Sequence, residues 1–367
     1  MKLHWTLLFF FALILLGSIG LAWQLALLQL FVFVGLFGSV LLHEFGHSLV
    51  GKRYGYAPRE IILMPIGGVA SFARLPEEPG KEFLVTIAGP AVNFVIVLAL
   101  GLAIGFEPIW ATFQGVFDTH TGGAAGGSPA VITTFAEALA VVAGINLFIG
   151  LFNLLPGFPM DGGRMLRAAL TPSLGYLRST IVAGRVGLVV ALLMIFWGAT
   201  LFFAQGVFSG VILMILALFV GFMGTMEQTQ VRMRFALKGL RAGEALVVPQ
   251  TRPTPDWSVG QLRGVLSESN VPGVPVLNVS GYLVGWIDRQ ALEQTPQQWG
   301  DVRVQDVMTP RWPWVRPQDP LDEVFQSMME RRLMAIPVVE RNGQFHGILS
   351  LLALHQFAAR RLQSGQT

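Results

Sequence analysis

Six apolar runs of membrane-spanning length crowd into the first 230 residues, and this constrains the chain more than any other feature. A helix crossing hydrocarbon needs about 20 mostly apolar residues, because no water is there to satisfy backbone N–H and C=O groups. Segments 5–22, 26–51, 83–106, 133–155, 181–204 and 207–226 reach that length. Residues 231–367 instead carry the mixed polarity of a water-exposed domain. Only 13% of all residues are charged, about half the usual load of a soluble domain. The expected fold is therefore a multi-span α-helical membrane domain over 1–230, a juxtamembrane linker over 231–243, and a soluble α/β domain. The first run follows Lys2 and ends in Gly20-Leu21-Ala22, which loosely suits a cleaved signal peptide. Its length favours a retained span.

Positive charge sets the orientation. Lys2 precedes span one. Lys52, Arg53, Arg59, Arg74 and Lys81 lie between spans two and three. Arg164, Arg167 and Arg178 lie between spans four and five, and Arg232, Arg234, Lys238 and Arg241 follow span six. No Lys or Arg occurs between Lys81 and Arg164, so the Gly-rich loop at 107–132 faces outward and both termini are cytoplasmic. The net charge is only +3. The one basic stretch sits where a membrane anchor belongs, so nucleic acid is not an expected partner. Cysteine is absent, which excludes disulfides, cysteine zinc sites and thiol catalysis.

His43-Glu44-Phe45-Gly46-His47 stands at the end of the second span. Positions i and i+4 share a helix face, so both imidazoles can converge on one ion. Glu44 then suits the general base that takes a proton from water. Chance is a poor explanation here. An intramembrane carboxylate costs roughly 2.5–3.5 kcal/mol on insertion scales, and these three are the only His or Glu residues between 5 and 59. A catalytic zinc needs a third protein ligand. None of the other four histidines is well placed, which leaves Asp161 at the cytoplasmic end of span four. Read alone, Asp161 also suits a helix N-cap or a turn carboxylate before Gly162.

HEFGH on an early span, followed by Asn153-Leu154-Leu155-Pro156 and then Asp161-Gly162, resembles the site-2 protease family of intramembrane metalloproteases. The resemblance covers residues 1–230. It implies zinc held by His43, His47 and Asp161, with Glu44 as the catalytic base and a transmembrane protein as substrate. It also implies that Asn153 assists at the scissile carbonyl, a sensible task for a side-chain amide facing an oxyanion; a helix-terminus cap is the other reading. Glu60–Phe72, with a turn expected at Gly67-Gly68, resembles the family's re-entrant β-loop. Its strand edge could pair with an unwound substrate, and a plain connector is the alternative. Ala88-Gly89-Pro90-Ala91-Val92-Asn93 places a helix breaker early in span three. Asn93 there suits a packing polar group, the preferred reading, or a substrate contact.

Residues 244–357 repeat with a 62-residue offset: Pro275-Val276 recurs as Pro337-Val338, and Gly285 as Gly347. That period suggests two tandem α/β units, over 244–300 and 301–362. Val307-Met308-Thr309-Pro310 with Ile336-Pro337-Val338-Val339 resembles a cystathionine-β-synthase (CBS) domain pair. The pair implies a regulatory or homodimer-forming module and raises adenine nucleotide as a ligand. Ribose-gripping members carry Thr or Ser and then Asp three residues on, whereas this chain has Ser350 with Ala353 and Asp288 with Ala291. Nucleotide binding is accordingly expected to be weak. Two other functions compete: a CBS-regulated channel or transporter, and an inactive relative that only binds membrane proteins. The first would need charged or polar residues lining a path, and spans one, three and six have almost none. The second would be expected to lack one of the four site residues.

Overall fold

A computed structural model describes residues 2–3, 12, 22–56, 58–64, 67–72, 78–117, 132–204, 206–267 and 272–363. The chain divides into two compact units, Met1–Gln228 and Thr229–Thr367. Among the described residues, five helical stretches are long and apolar enough to cross a membrane: Trp23–Arg53, Pro79–Ile104, Phe135–Asn153, Tyr176–Ala204 and Ser209–Leu237. They correspond to expected spans two to six. The expected first span, 5–22, falls outside the described residues except for Ala12 and Ala22.

We label the helices of the first unit α1 (Trp23–Arg53), α2 (Pro79–Ile104), α3 (Glu107–Phe117), α4 (Phe135–Asn153), α5 (Asp161–Leu174), α6 (Tyr176–Ala199) and α7 (Ser209–Leu237). Helix α2 is central and packs against α1, α4 and α5. Apolar burial does little to drive association inside lipid, so close approach depends on small residues. Ala138, Ala140, Ala143, Ala183 and Ala191 fill the buried faces. A Cβ on Gly46 would stand 2.6 Å from the Ala88 carbonyl oxygen, so α1 and α2 meet backbone to backbone there. The large residues point outward, with Leu98, Leu102, Leu193, Phe196, Ile215 and Leu218 exposed as a lipid-facing surface requires.

Three expectations need correction. The outward loop at 107–132 begins as a helix, α3. Glu107 and Pro108 open its first turn, where an acid and a missing N–H are both favourable, and Ile109 is buried. Residues 118–131 of that loop lie outside the described residues. Pro90 does not break span three, because α2 continues through it. Finally, Gly67-Gly68 is not a turn. Strands β1 (Lys2–Leu3), β2 (Pro58–Met64) and β3 (Gly67–Phe72) form one sheet in that order. In it Gly67 pairs with Met64, and Gly68 with Leu63, in an antiparallel hairpin. The glycines belong to the strand, and the expected hairpin is present.

The second unit is built twice. Helix α8 (Val259–Ser267), strands β4 (Gly273–Leu277) and β5 (Leu283–Asp288) and helix α9 (Arg289–Gln294) form one repeat. Helix α10 (Leu321–Glu330), β6 (Ala335–Val339), β7 (Phe345–Ser350) and α11 (Leu351–Gln363) form the other. Pro275 pairs with Trp286 in the first hairpin, and Pro337 with Ile348 in the second. The register shifts at the same step in both, Val276/Leu277 and Val338/Val339. Each hairpin has its own apolar core, one around Leu262, Val274 and Ile287, the other around Met328, Ile336 and Leu349. Asp288 caps α9 by accepting from the Gln290 N–H, and Ser350 at the matching position accepts from the Ala353 N–H.

Candidate metal centre

Helix α1 has 31 residues, about 46 Å at 1.5 Å per residue. Its first histidine lies 20 residues along it, about 30 Å from the start. One turn apart, His43 and His47 present their Nε2 atoms 3.1 Å from each other. Asp161, first residue of α5, brings Oδ2 to 3.2 Å from both. All three residues are buried. Asp161 is not the N-cap that its simpler reading has: it is the first helical residue, Met160 is the N-cap, and no side-chain cap bond forms there.

Local chain geometry explains the motif's glycines. A Cβ on Gly162 would lie 2.2 Å from the Leu155 carbonyl oxygen, and one on Gly163 2.4 Å from the Gly157 carbonyl carbon. The first turn of α5 thus folds directly onto the Leu154–Phe158 turn that precedes it. That turn in turn lies against Gly187 of α6 and Gly224 of α7. From the opposite side, Gly89 of α2 leaves open the space in front of the two histidines.

Hydrogen bonding determines where the imidazole protons are. His47 Nδ1 lies 2.8 Å from the Val85 carbonyl oxygen, which only accepts, so Nδ1 carries the proton. His43 Nδ1 lies 2.6 Å from Asn93 Oδ1 and donates likewise. In the neutral rings both Nε2 atoms are then bare lone pairs, pointing at each other and at a carboxylate oxygen that has no hydrogen-bond donor. Three acceptors converge with no proton between them, an arrangement that a cation stabilises. Tetrahedral zinc with bonds of about 2.0–2.1 Å would space its ligand atoms about 3.3 Å apart, and the donor set matches.

Glu44 is half-buried beside His43, within electrostatic reach of His43, His47 and Asp161. Asn153 ends α4, and its Nδ2 donates to the Ile149 carbonyl at 3.1 Å. In this structure its amide is folded back on its own helix, as the cap reading has it, and makes no bond to the histidines or Asp161. Asn93 is wholly buried, and its Oδ1 accepts from His43 Nδ1. Gly67 and Gly68 lie in β3, which packs against α1, the helix that carries both histidines.

Sequence reasoning missed four participants: Gly89, the Val85 carbonyl, Asn146 and Ser39. Ser39 precedes His43 by one helical turn and donates to the Gly35 carbonyl. Asn146 is a buried amide in an apolar span, two helical turns before Asn153. A buried ion pair was also missed. Arg167 of α5 donates through Nε to Glu82 Oε1 of α2 at 2.8 Å. Its guanidinium lies 5.0 Å from the Phe158 ring centroid and 4.8 Å from that of Tyr176. Glu227 of α7 adds a carboxylate 3.6 Å from Arg164.

The family description Peptidase family M50 fits residues 31–197, and the description CBS domain fits residues 304–357. The chain is 35% identical over 256 residues to a zinc metalloprotease of Methanocaldococcus jannaschii, a match spanning 70% of this chain and 66% of that protein. It is 33% identical over 302 residues to Rip3 of Mycobacterium tuberculosis, across 80% of this chain and 72% of that protein. Among solved structures it is similar to the site-2 protease from Methanocaldococcus jannaschii, at 35% identity and a TM-score of 0.40, over 62% of this chain and 89% of that one. The relative from Mycobacterium tuberculosis is matched over more than two thirds of its length, and on that footing the chain belongs to peptidase family M50, the site-2 proteases.

Proposed function

We propose that this multi-pass membrane protein is a zinc-dependent endopeptidase that cuts peptide bonds within or near transmembrane segments of other proteins. His43, His47 and Asp161 hold one zinc ion, and Glu44 is the general base. The observation that carries the reading is the convergence of two bare imidazole nitrogens and one unpartnered carboxylate oxygen. When bound, zinc supplies Lewis acidity to the scissile carbonyl and lowers the pKa of water. Glu44 takes the proton of the attacking water and returns it to the leaving amine. Asn153 reaches the developing oxyanion once its amide leaves the Ile149 carbonyl. The substrate segment is extended along the edge of β3, the strand of Gly67 and Gly68, whose other edge β2 already occupies.

Both termini are cytoplasmic, in a prokaryotic plasma membrane. Residues 244–300 and 301–362 form the CBS pair and serve as a docking or homodimer platform. Ribonucleotides bind there weakly, because Asp288 and Ser350 cap helices and Ala291 and Ala353 stand where the ribose-binding aspartate would be. Calorimetry on the whole protein with ATP, ADP and AMP tests this, and a micromolar dissociation constant would refute it. For the chemistry, Glu44→Gln should retain one equivalent of zinc while losing cleavage of a co-reconstituted single-span protein. Cleavage by that variant at the wild-type rate would overturn the mechanism.

A further inference from the structure

Behind His43 runs a line of buried polar groups that joins three helices. His43 Nδ1 meets Asn93 Oδ1 at 2.6 Å, and Asn93 Nδ2 meets Asn146 Oδ1 at 2.8 Å. Asn146 Nδ2 reaches both Ser39 Oγ and the Val142 carbonyl oxygen, each at 2.8 Å. Ser39 Oγ lies 2.7 Å from the Gly35 carbonyl oxygen. Asn93 and Asn146 are wholly buried, so water cannot substitute for any member.

A primary amide can be turned end for end, so what matters is what prevents that here. The two terminal acceptors are backbone carbonyls, which never donate. The Val142 carbonyl requires the nitrogen of Asn146 on its side, and the Gly35 carbonyl makes Ser39 a donor that accepts from the same nitrogen. Asn146 Oδ1 must then face Asn93, which turns the Asn93 nitrogen toward it and the Asn93 oxygen toward His43. Were Asn93 reversed, its N–H would point at His43 Nδ1 and drive the imidazole proton to Nε2, into the space between the three ligands.

We infer that Asn146 is a positioning residue that orients Asn93 and thereby keeps the His43 proton on Nδ1, leaving Nε2 free for the metal. This rests on the reading of His43, His47 and Asp161 as zinc ligands. Outer-sphere partners of a ligating histidine typically change metal affinity by about 10- to 100-fold, and here the effect is exerted at one remove. An aspartate at position 93 would accept through either oxygen and have no wrong way round, so it would not need Asn146.

That difference supplies the test. Zinc affinity of the purified whole protein is measured by competition with a chelating dye for wild type, Asn146→Leu, Asn93→Asp and the double variant. Thermal unfolding of the metal-free proteins is recorded alongside. Asn146→Leu should weaken zinc binding about 10- to 100-fold, whereas the same change in the Asn93→Asp background should cost nothing. Equal zinc affinity in Asn146→Leu and wild type would overturn the inference. So would an equal loss in both backgrounds, or loss of folding in both, since either makes Asn146 a packing residue. Wild type that binds no zinc would instead refute the metal reading itself, and the inference with it.

Discussion

Gly89 of α2 stands so close to His47 of α1 that a Cβ on it would lie 2.2 Å from the ligating Nε2, and 2.7 Å from that of His43. One methyl group would occupy the space that the three ligands enclose. Gly89→Ala should therefore abolish zinc retention while leaving the helical content intact. Gly80→Ala, on the same helix with open space around it, should retain zinc. Metal analysis of the two purified variants distinguishes them.

Glu82 and Arg167 are both almost wholly buried, and they join α2 to the helix that starts at Asp161. Removing one partner of such a pair leaves an uncompensated buried charge, a loss of about 3–5 kcal/mol, whereas replacing both by apolar groups is often neutral. Arg167→Met should accordingly lower the thermal midpoint sharply. Glu82→Leu combined with Arg167→Met should recover most of it. A double variant as unstable as the single one would show that the stacking on Phe158 and Tyr176 matters more than the charge.

The native chain has no cysteine, so single introduced cysteines report sidedness without background. Gln114 in α3 and Asp301 in the second unit are both exposed. In intact cells, Gln114→Cys should react with an impermeant thiol reagent and Asp301→Cys should not. The reverse pattern would invert the topology.

Asp288 accepts hydrogen bonds from the Gln290 and Ala291 N–H groups at the start of α9. Loss of an N-cap costs about 0.5–2 kcal/mol. Asp288→Ala should destabilise the second unit by that amount, read from its denaturant midpoint, with no change in zinc content.

Legibility in the sequence followed the range of the interaction. His43 and His47 are one helical turn apart, so their shared face is a local property and needs no tertiary knowledge. Asp161 required topology: both motifs had to end on the same side of the membrane, and the charge distribution supplied that. Asn146 could not be assigned, because its role depends on Asn93 and Ser39, which come from two other helices. Gly89 was hidden for a related reason. In the sequence it is only the neighbour of Pro90, whereas its value lies in the two histidines that stand opposite. Asn153 shows the opposite error. A motif position implied a place at the reacting carbonyl, yet its amide bonds back to the Ile149 carbonyl of its own helix. The repeat in the second unit was legible because duplicated hairpins preserve spacing even where Trp286 has become Ile348.

The turn that delivers Asp161 is enclosed by glycines from three directions: Gly163 behind it, Gly187 on α6 and Gly224 on α7 all approach the Gly157–Phe158 backbone more closely than a Cβ allows. Lipid-facing positions such as Leu193 or Ile215 can exchange one apolar residue for another with little effect. A saturation mutagenesis profile of the membrane unit should therefore show broad tolerance interrupted at Gly157, Gly163, Gly187 and Gly224. At these positions alanine, the mildest substitution elsewhere in a helix, would be as damaging as tryptophan.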